Sequence, residues 1–366
     1  MNITCDRENL QKHIMSAERV TSKNSSLPIL NSVLLITNNK NLIIRSTNLE
    51  VGVEFQIDAD IKKEGKIAIS GSLFSNILTN IPDEEKINIS VINNICKIST
   101  KNKNITIKGL EADDFPTIPI INEGESFTIP SQNFIQNIKT VLMSAAVSDI
   151  KPEISSVFIY QKDKYLYFVS TDSFRLTEKK TEYKGEPFSQ GIIIPIKNII
   201  EIVKIFENIN ENILFKITKN QISLISKTVY VTTRVIQGVY PDYEQILPKD
   251  NTTEVVVLKQ DLINTLKLSS LFSDKFNKIN FIINPQEKKF LINTKNTDIG
   301  ETETSIIATL TGDPVEIALN GKHLFDCLNV IKEDSVIIQL NGGAKPAVIK
   351  GLGDQSFIYL TMPLTK

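Results

Sequence analysis

The chain has 366 residues and a mass of 41.1 kDa, and it is almost neutral, with 41 basic residues against 42 acidic ones. This length exceeds what one hydrophobic core usually supports and predicts two or three domains. Hydrophobic residues make up 41% and charged residues 23%, which is typical of a folded globular protein. The balanced charge excludes a protein that binds nucleic acid over its whole surface, so any DNA affinity requires a local arrangement of Lys and Arg.

Targeting and membrane segments are not evident. The N-terminal sequence MNITCDRENLQKH carries a charge at Asp6 and no apolar run, which excludes a secretory signal. The longest apolar stretch, 191–203, is interrupted by Pro195, Lys197 and Glu201 and falls well short of the roughly 18 apolar residues of a membrane span. We therefore expect a cytoplasmic protein.

The three cysteines, Cys5, Cys96 and Cys327, lie far apart in the sequence and form no CxxC pair. An odd number at these spacings predicts neither a disulfide framework nor a zinc site. We expect them to be reduced, small and buried.

A strand followed by an amphipathic helix occurs three times, at intervals of about 125 residues. The three copies read ITCDRENLQKHIMSAERV from Ile3, FTIPSQNFIQNIKTVLMSAA from Phe127 and VVVLKQDLINTLKLSSLF from Val255. Each helix repeats apolar residues at positions i and i+4, as in Leu10/Ile14, Phe134/Ile138 and Leu262/Leu266. The repeating unit is therefore a whole domain.

A second strand and helix follow midway through each copy: KIAISGSLFSNILTNI from Lys66, GIIIPIKNIIEIVKIF from Gly191 and VEIALNGKHLFDCLNVI from Val315. We expect equivalent places to be held by the apolar triplets Leu73/Phe74/Ile77, Ile199/Ile200/Val203 and Leu324/Phe325/Leu328. Short segments of alternating polarity, such as 166–169 and 221–226, indicate the surrounding strands.

Two helices and many strands per copy predict an α+β fold in which the helices cover one side of an antiparallel sheet. Three copies place six helices along one side of the chain. Polar segments marked by Gly or Pro, at 123–125 and 249–253, predict the joints. The expected domains are 1–125, 126–251 and 252–366.

Residues suited to catalysis are few. The two histidines, His13 and His323, lie in predicted helices, where a lone histidine is usually structural or solvated. The sequence contains no P-loop, dinucleotide-binding, HExxH, GxSxG or EF-hand motif. Thr171-Asp172-Ser173 places hydroxyls beside a carboxylate, but no general base is identifiable nearby. We expect no enzyme activity, no metal and no cofactor.

Four motifs are more specific: LPIL at 27–30, STDSFRL at 170–176, GVYPDYEQILPK at 238–249 and YLTMPLTK at 359–366. In this order, and in register with the three repeats, they resemble the bacterial DNA polymerase III beta subunit family of sliding clamps along the full length of the chain. Any one of these motifs alone would be weak evidence.

The resemblance implies a processivity factor that encircles duplex DNA and tethers polymerases to it. Two subunits of three clamp domains would close head to tail into a six-domain ring, with helices lining the pore and strands outside. By register, the resemblance assigns the subunit interface to Ile105, Ile107, Leu271 and Phe272. The alternative is that these four residues only fill a domain core.

Several polar residues would face DNA in such a ring. Lys197 matches a basic pore position of the family, and Lys12, Lys139 and Lys151 are further candidates. The alternative is that each is an ordinary solvated lysine. Relatives often carry Arg shortly before LPIL, whereas this chain has Lys23 and Asn24. Loose phosphate contacts suit a protein that slides, because tight ion pairs along the backbone would hold it still.

The resemblance also implies an apolar cleft that receives short peptide motifs from partner proteins. Carried over position by position, it would use Ile154, Thr171, Ser173, Phe174, Arg175, Leu176, Pro241, Ile246, Asn320, His323, Pro346, Leu360, Met362, Pro363 and Leu364. Many relatives have Gly-His where this chain has Ser173-Phe174, and a basic residue where it has Thr365. These departures predict an altered peptide preference. The alternative is that YLTMPL is simply an edge strand.

The expected partners are double-stranded DNA, bound without sequence preference, the DNA polymerase III alpha subunit and other polymerases, the clamp loader, mismatch-repair and ligase-type clamp binders, and a second copy of the chain. Two other classes of function stay open. An enzyme on a repeated scaffold would need a pocket with convergent acid and base groups. An interaction scaffold of the same fold would bind peptides without encircling DNA.

Overall fold

The computed structural model describes residues 1–22, 27–82, 85–148, 150–189 and 191–364. The chain divides into two compact units, Met1–Ile135 with Gly185–Gln237 and Gln136–Lys184 with Gly238–Lys366. Among the described residues, no helix is long and apolar enough to cross a membrane.

The helices predicted from the sequence are all present. Within the described ranges they are α1 Arg7–Val20, α2 Gly71–Thr79, α3 Ser131–Val141, α4 Ile196–Phe206, α5 Lys259–Ser270 and α6 Gly321–Val330. Asp6 caps α1 by accepting a hydrogen bond from the amide of Asn9 at 2.7 Å, and Asn320 caps α6 in the same way through the amide of His323 at 3.1 Å.

Each helix buries the residues three and seven positions after its first residue. This spacing places both side chains on one stripe of the helix, which packs into the core. The pairs are Leu10/Ile14, Phe74/Leu78, Phe134/Ile138, Ile199/Val203, Leu262/Leu266 and Leu324/Leu328. The predicted triplet of α2 was therefore wrong by one residue: Leu73 is 46% exposed, and Phe74 and Leu78 take the core positions.

The strands are short and numerous. In chain order they are β1 Asn2–Asp6, β2 Ser32–Asn38, β3 Asn41–Thr47, β4 Val51–Asp58, β5 Asp60–Lys63, β6 Lys66–Ser70, β7 Lys86–Ile92, β8 Ile95–Ser99, β9 Asn104–Lys108, β10 Glu125–Pro130, β11 Ser156–Lys162, β12 Tyr165–Thr171, β13 Arg175–Glu182, β14 Ile192–Pro195, β15 Asn212–Ile217, β16 Gln221–Ile225, β17 Val229–Arg234, β18 Thr253–Leu258, β19 Lys278–Asn284, β20 Lys289–Asn296, β21 Gly300–Ser305, β22 Ala308–Gly312, β23 Val315–Asn320, β24 Ser335–Leu340, β25 Ala347–Gly351 and β26 Phe357–Thr361.

The first unit contains two antiparallel sheets. One has the strand order β5-β1-β7-β8-β9, and the other β10-β15-β16-β17-β4-β3-β2-β6. The pairing of β17 with β4, in which Val231 faces Val53, joins the second repeat to the first. Strand β9 ends its sheet and, among the residues that the structure describes, pairs only with β8.

The second unit has the same plan. One sheet contains the order β11-β12-β13-β26-β25-β24-β18-β22, and the other is β21-β20-β19-β23. Strand β26 pairs with β13 on one side and β25 on the other, so the alternative that YLTMPL is an edge strand was wrong. Strand β21 is an edge strand.

The cysteines are buried, as expected. Cys5, Cys96 and Cys327 are free thiols, each less than 5% exposed. Burial raises the pKa of the Cys5 and Cys96 thiols to about 12 and that of Cys327 well above its ordinary value. They stay protonated at neutral pH and contribute packing, not reactivity.

Candidate functional site

The turn between β12 and β13 presents the residues of the STDSFRL motif. Oδ1 of Asp172 accepts hydrogen bonds from the amides of Phe174 at 3.0 Å and Arg175 at 2.9 Å, and the Thr171 hydroxyl donates to the Arg175 carbonyl at 2.7 Å. Ser173 has a φ of 75°, a left-handed conformation that closes the turn. As a result Phe174 is held at the surface, where it is 65% exposed. Thr171-Asp172-Ser173 therefore builds a turn.

Arg175 connects this turn to helix α6. Its Nε donates to Oδ2 of Asp172 at 2.9 Å, and its Nη1 donates to Oδ2 of Asp326 at 2.7 Å. Burial opposes the charge, but the bonds to Asp326 and Asp172 outweigh it and raise the pKa of Arg175 above its ordinary value. Sequence reasoning missed Asp326, because nothing in the chain signals a pairing across 151 residues.

The C-terminal segment lies against this turn. Leu360 of β26 pairs with Leu176 of β13, and the Met362 amide donates to the Phe174 carbonyl at 2.8 Å. Farther on, the Leu364 amide donates to the Ala318 carbonyl of β23 at 2.8 Å. The structure thereby brings the STDSFRL and YLTMPL motifs together, as the cleft prediction requires.

His323 of α6 and Asn320, the residue that caps this helix, lie beside the C-terminal segment. The Tyr359 hydroxyl donates to the His323 carbonyl at 2.9 Å. Burial lowers the pKa of His323, and the nearby charge of Arg175 lowers it further, so its imidazole is neutral at pH 7. The side-chain Nδ2 of Asn320 also donates to the Phe276 carbonyl at 3.2 Å, which ties the cap to the preceding loop.

An open groove of about 420 Å³ runs beside the C-terminal residues. It is lined partly by apolar side chains, among them Ile282, Ile317, Ala318, Pro363 and Leu364. Met362, which precedes Pro363, and Phe174, whose carbonyl accepts from the Met362 amide, are both exposed. Exposed apolar side chains grouped around a groove are typical of a surface that binds a partner.

The remaining predicted cleft residues lie in the same unit. The Ala146 amide donates to the carbonyls of both Ile154 and Thr171, at 3.2 and 3.3 Å. Pro346 precedes Ala347, which pairs with Thr361. Pro241 and Ile246 are exposed on either side of Tyr243. Thr365 lies outside the described residues.

Aromatic side chains fix the segment that carries Pro241 and Ile246. Tyr240 stacks on Phe158 with ring centroids 4.7 Å apart, and the Tyr243 hydroxyl donates to Oε2 of the buried Glu178 at 2.6 Å. A second hydroxyl, that of Tyr160, lies 2.6 Å from the Tyr243 hydroxyl. Burial raises the pKa of Glu178. The GVYPDYEQILPK motif is thus anchored by its two tyrosines.

The predicted interface residues lie in two places, on strand β9 and in the segment that follows α5. Ile105 and Ile107 belong to β9, and Ile107 is buried within its own unit while Ile105 is half-buried. Leu271 follows α5 and is 67% exposed. The Phe272 ring lies close to Gly300, the first residue of β21, since a Cβ built there would be 3.7 Å from Cε1.

The lysines proposed to face DNA are all exposed where the structure describes them. Lys12 lies on α1, Lys139 on α3, Lys197 on α4 and Lys151 just before β11. Lys23 and Asn24 lie outside the described residues. Sequence reasoning did not single out three more exposed helix lysines within the described ranges, Lys204 of α4, Lys267 of α5 and Lys322 of α6.

Three family models match the chain in succession. They describe the N-terminal domain of the DNA polymerase III beta subunit at residues 1–119, its central domain at 128–242 and its C-terminal domain at 244–365. The chain belongs to the DNA polymerase III beta subunit family. Members of this family are sliding clamps of DNA replication with DNA and a polymerase as partners, so the protein is a processivity factor and not an enzyme.

Curated relatives extend over the full chain. The beta sliding clamp of Buchnera aphidicola subsp. Rhopalosiphum padi is 28% identical, and that of Bacillus subtilis 23%, with complete coverage of this chain and 100% and 99% of the relatives. Among solved structures, the B. subtilis clamp matches with a TM-score of 0.95 and a Pseudomonas aeruginosa clamp bound to griselimycin with 0.96. Both are 23% identical and cover 100% of this chain and 99% and 100% of theirs, which establishes the fold.

Proposed function

We propose that two copies of this chain close head to tail into a ring around duplex DNA, through the domains 1–125, 126–251 and 252–366. The observation that carries the proposal is that two of the strands ending a sheet in the described ranges, β9 near the end of the first repeat and β21 in the third, expose side chains of opposite charge. An open edge exposes backbone groups that a further strand satisfies. Two different edges on one chain make a heterologous contact, which closes into a ring when the rotation allows it.

The charges of the two edges support this pairing. Strand β9 is basic, because Lys108 is exposed on it and Lys101 and Lys103 precede it. Strand β21 is acidic, with Glu301 and Glu303 exposed. Opposite charges across paired strands are favourable, whereas pairing β9 with β9 or β21 with β21 would place like charges opposite one another. Leu271, Phe272 and Ile105 would supply the apolar contact.

The cleft around Arg175 is the proposed docking site for peptide segments of partner proteins. Its support is the joining of β13 to β26, the exposed Phe174 and Met362, and the groove along Pro363 and Leu364. Methionine and leucine side chains pack adaptably, which suits several partners sharing one site. Phe174 adds an aromatic rim, so we expect a preference for peptides with an apolar side chain near it.

Contact with DNA would be loose. Lys12, Lys139, Lys151 and Lys197 are exposed and separated along the chain, so each would neutralise a phosphate without building a fixed binding patch. Lys23 and Asn24 are included in the proposal on sequence grounds alone. Encirclement, not affinity, would keep the protein on DNA.

Several partner proteins would share this one cleft. We propose that it is used in turn by the DNA polymerase III alpha subunit, other polymerases, the clamp loader and mismatch-repair and ligase-type binders, in the cytoplasm and without a cofactor.

Retention on circular DNA tests this function. The protein is loaded on nicked circular DNA with the clamp loader of its own organism and isolated by gel filtration, and the DNA is then cut once. A ring stays with circular DNA and slides off the linear form. Equal retention on both forms, or none on either with peptide binding intact, would instead support an interaction scaffold.

A further inference from the structure

The first unit contains a copy of the turn at 171–175, which borders the proposed peptide cleft in the second unit. The Thr47 hydroxyl donates to the Val51 carbonyl at 2.9 Å, and Oδ1 of Asn48 accepts from the amides of Glu50 at 3.0 Å and Val51 at 2.8 Å. Leu49 has a φ of 74°, as Ser173 has 75°. This turn between β3 and β4 therefore repeats the hydrogen bonds of 171–175 one repeat earlier.

The copy continues into the next strand. The Arg234 amide donates to the Glu50 carbonyl at 3.1 Å, as the Met362 amide does to that of Phe174. The Ile236 amide donates to the Ile193 carbonyl at 2.9 Å, as that of Leu364 does to Ala318. The junction of the first two repeats thus has the same backbone scaffold as the proposed cleft.

Side chains distinguish the two junctions. Gly52 and Thr232 face each other across β4 and β17, where the cleft has Leu176 and Leu360. A Cβ added to Gly52 would lie 3.0 Å from Cγ2 of Ile118. Ile118 is only 7% exposed, so its side chain fills the space that a leucine would take.

The segment carrying Ile118 is fixed at both ends. The Tyr230 hydroxyl donates to the Pro119 carbonyl at 2.8 Å and accepts from the Ile121 amide at 2.9 Å. Before it, Phe115 packs against Ile29 and Leu30 of the LPIL motif. In the corresponding segment of the second unit, Ile246 is 47% exposed.

What remains open at the first junction is small. The groove there has a volume of about 220 Å³, roughly half that of the groove beside Pro363 and Leu364. Its lining is mixed: Thr47, Glu50, Gln221, Thr232 and Arg234 offer polar groups, and Leu49, Pro116 and Pro119 offer apolar ones. Such a groove is smaller than the pockets that usually bind peptides with large apolar side chains.

We infer that Gly52 and Ile118 determine which junction docks partner peptides: the chain's own segment 115–119 occupies the first copy of the cleft, leaving one site per chain. The inference rests on the proposed function of the cleft. A glycine at the first junction admits the segment, and Leu176 at the second keeps its counterpart out.

The test uses a fluorescent pentapeptide selected on the wild-type protein from a random-sequence library, with stoichiometry measured by calorimetry. The wild-type protein should bind one peptide per chain, and Gly52→Leu/Ile118→Ala should bind two. When residues 362–366 are also removed from the double variant, the second cleft is lost, and the chain should still bind one peptide at the first junction. Ile92→Ala, an exposed change on the first unit, is the matched control and should leave the count at one.

Two peptides per wild-type chain, or one per folded double variant, would overturn the inference. If the double variant melts far below the wild-type protein, hydrogen exchange on the wild-type protein decides. Peptide should protect the amides of Met362 and Leu364 and leave those of 234–236 unchanged, and protection of 234–236 would overturn the inference. Failure of the wild-type protein to bind, or binding that survives removal of 362–366, would instead count against the proposed cleft.

Discussion

The guanidinium of Arg175 binds the carboxylates of Asp172 and Asp326 at the same time, with N–O distances of 2.9 and 2.7 Å. The first carboxylate belongs to the turn that carries Phe174, and the second to helix α6. Arg175 is 12% and Asp326 30% exposed at the side chain, so neither charge is fully solvated. The rim of the proposed cleft is therefore fixed by an ionic link that the sequence did not reveal.

Asp326→Asn should loosen that rim. Loss of a hydrogen bond between charged groups typically costs about 1–3 kcal/mol, and the free energy of unfolding should fall by that amount. If the link orients the cleft, affinity for the selected peptide should fall by about threefold to tenfold. Urea unfolding and fluorescence anisotropy measure the two effects. Glu287→Gln, an exposed acidic residue between β19 and β20, should change neither.

Glu178 should make stability depend on pH. Burial raises its pKa, so the folded protein takes up a proton at a higher pH than the unfolded chain does, and stability falls as the pH rises from about 4.3 through the folded pKa. Glu178→Gln should flatten this dependence and raise the free energy of unfolding at neutral pH. Tyr243→Phe removes the donor to the carboxylate and should lower stability there by about 1–3 kcal/mol.

Urea unfolding across that pH range compares these two variants with the wild-type protein. If the free energy of unfolding of Glu178→Gln changes with pH as steeply as that of the wild-type protein, this carboxyl group is not responsible for the pH dependence.

Residue spacing was enough to predict the helices and their repetition, because an apolar stripe at positions three and seven is a local signal. The shift of the α2 triplet to Phe74 and Leu78 arose because two apolar residues stand side by side there and only packing selects between them. The edge-strand alternative for 359–364 failed for another reason: the pairing of β26 with β13 links residues far apart in sequence. Long-range partners such as Asp326 and Glu178 leave no comparable pattern.

Charge reversal at β21 should weaken the subunit contact. Glu301→Lys/Glu303→Lys would face the lysines of β9 and should raise the dimer dissociation constant at least about tenfold, since each like-charge contact costs on the order of a kcal/mol. Adding Lys103→Glu/Lys108→Glu to the same chain should return the dimer dissociation constant towards the wild-type value. Sedimentation equilibrium measures this constant for both variants. If the fourfold variant dimerises as weakly as the double variant, this pairing of edges is rejected.

The apolar part of the same contact is tested separately. Leu271→Ala/Phe272→Ala should give monomers at concentrations where the wild-type protein is dimeric, because it removes apolar area from the proposed interface. A double variant that stays dimeric would reject the assignment of Leu271 and Phe272.

Replacing Lys12, Lys139, Lys151 and Lys197 by Ala should weaken DNA contact without affecting peptide binding. The slope of the logarithm of affinity against the logarithm of salt concentration should decrease by up to about 4, because each phosphate contact contributes about 0.9. A matched control replaces four exposed lysines that are not proposed to face DNA, Lys40, Lys62, Lys219 and Lys288. An equal decrease in the control would show that only net charge matters.

Small-angle X-ray scattering with a light-scattering mass tests the proposed ring most directly. A closed two-subunit ring should have a mass twice the 41.1 kDa of the chain and the distance distribution of a hollow disc. A compact particle of 41.1 kDa across the whole concentration range would show that the chain does not form this ring.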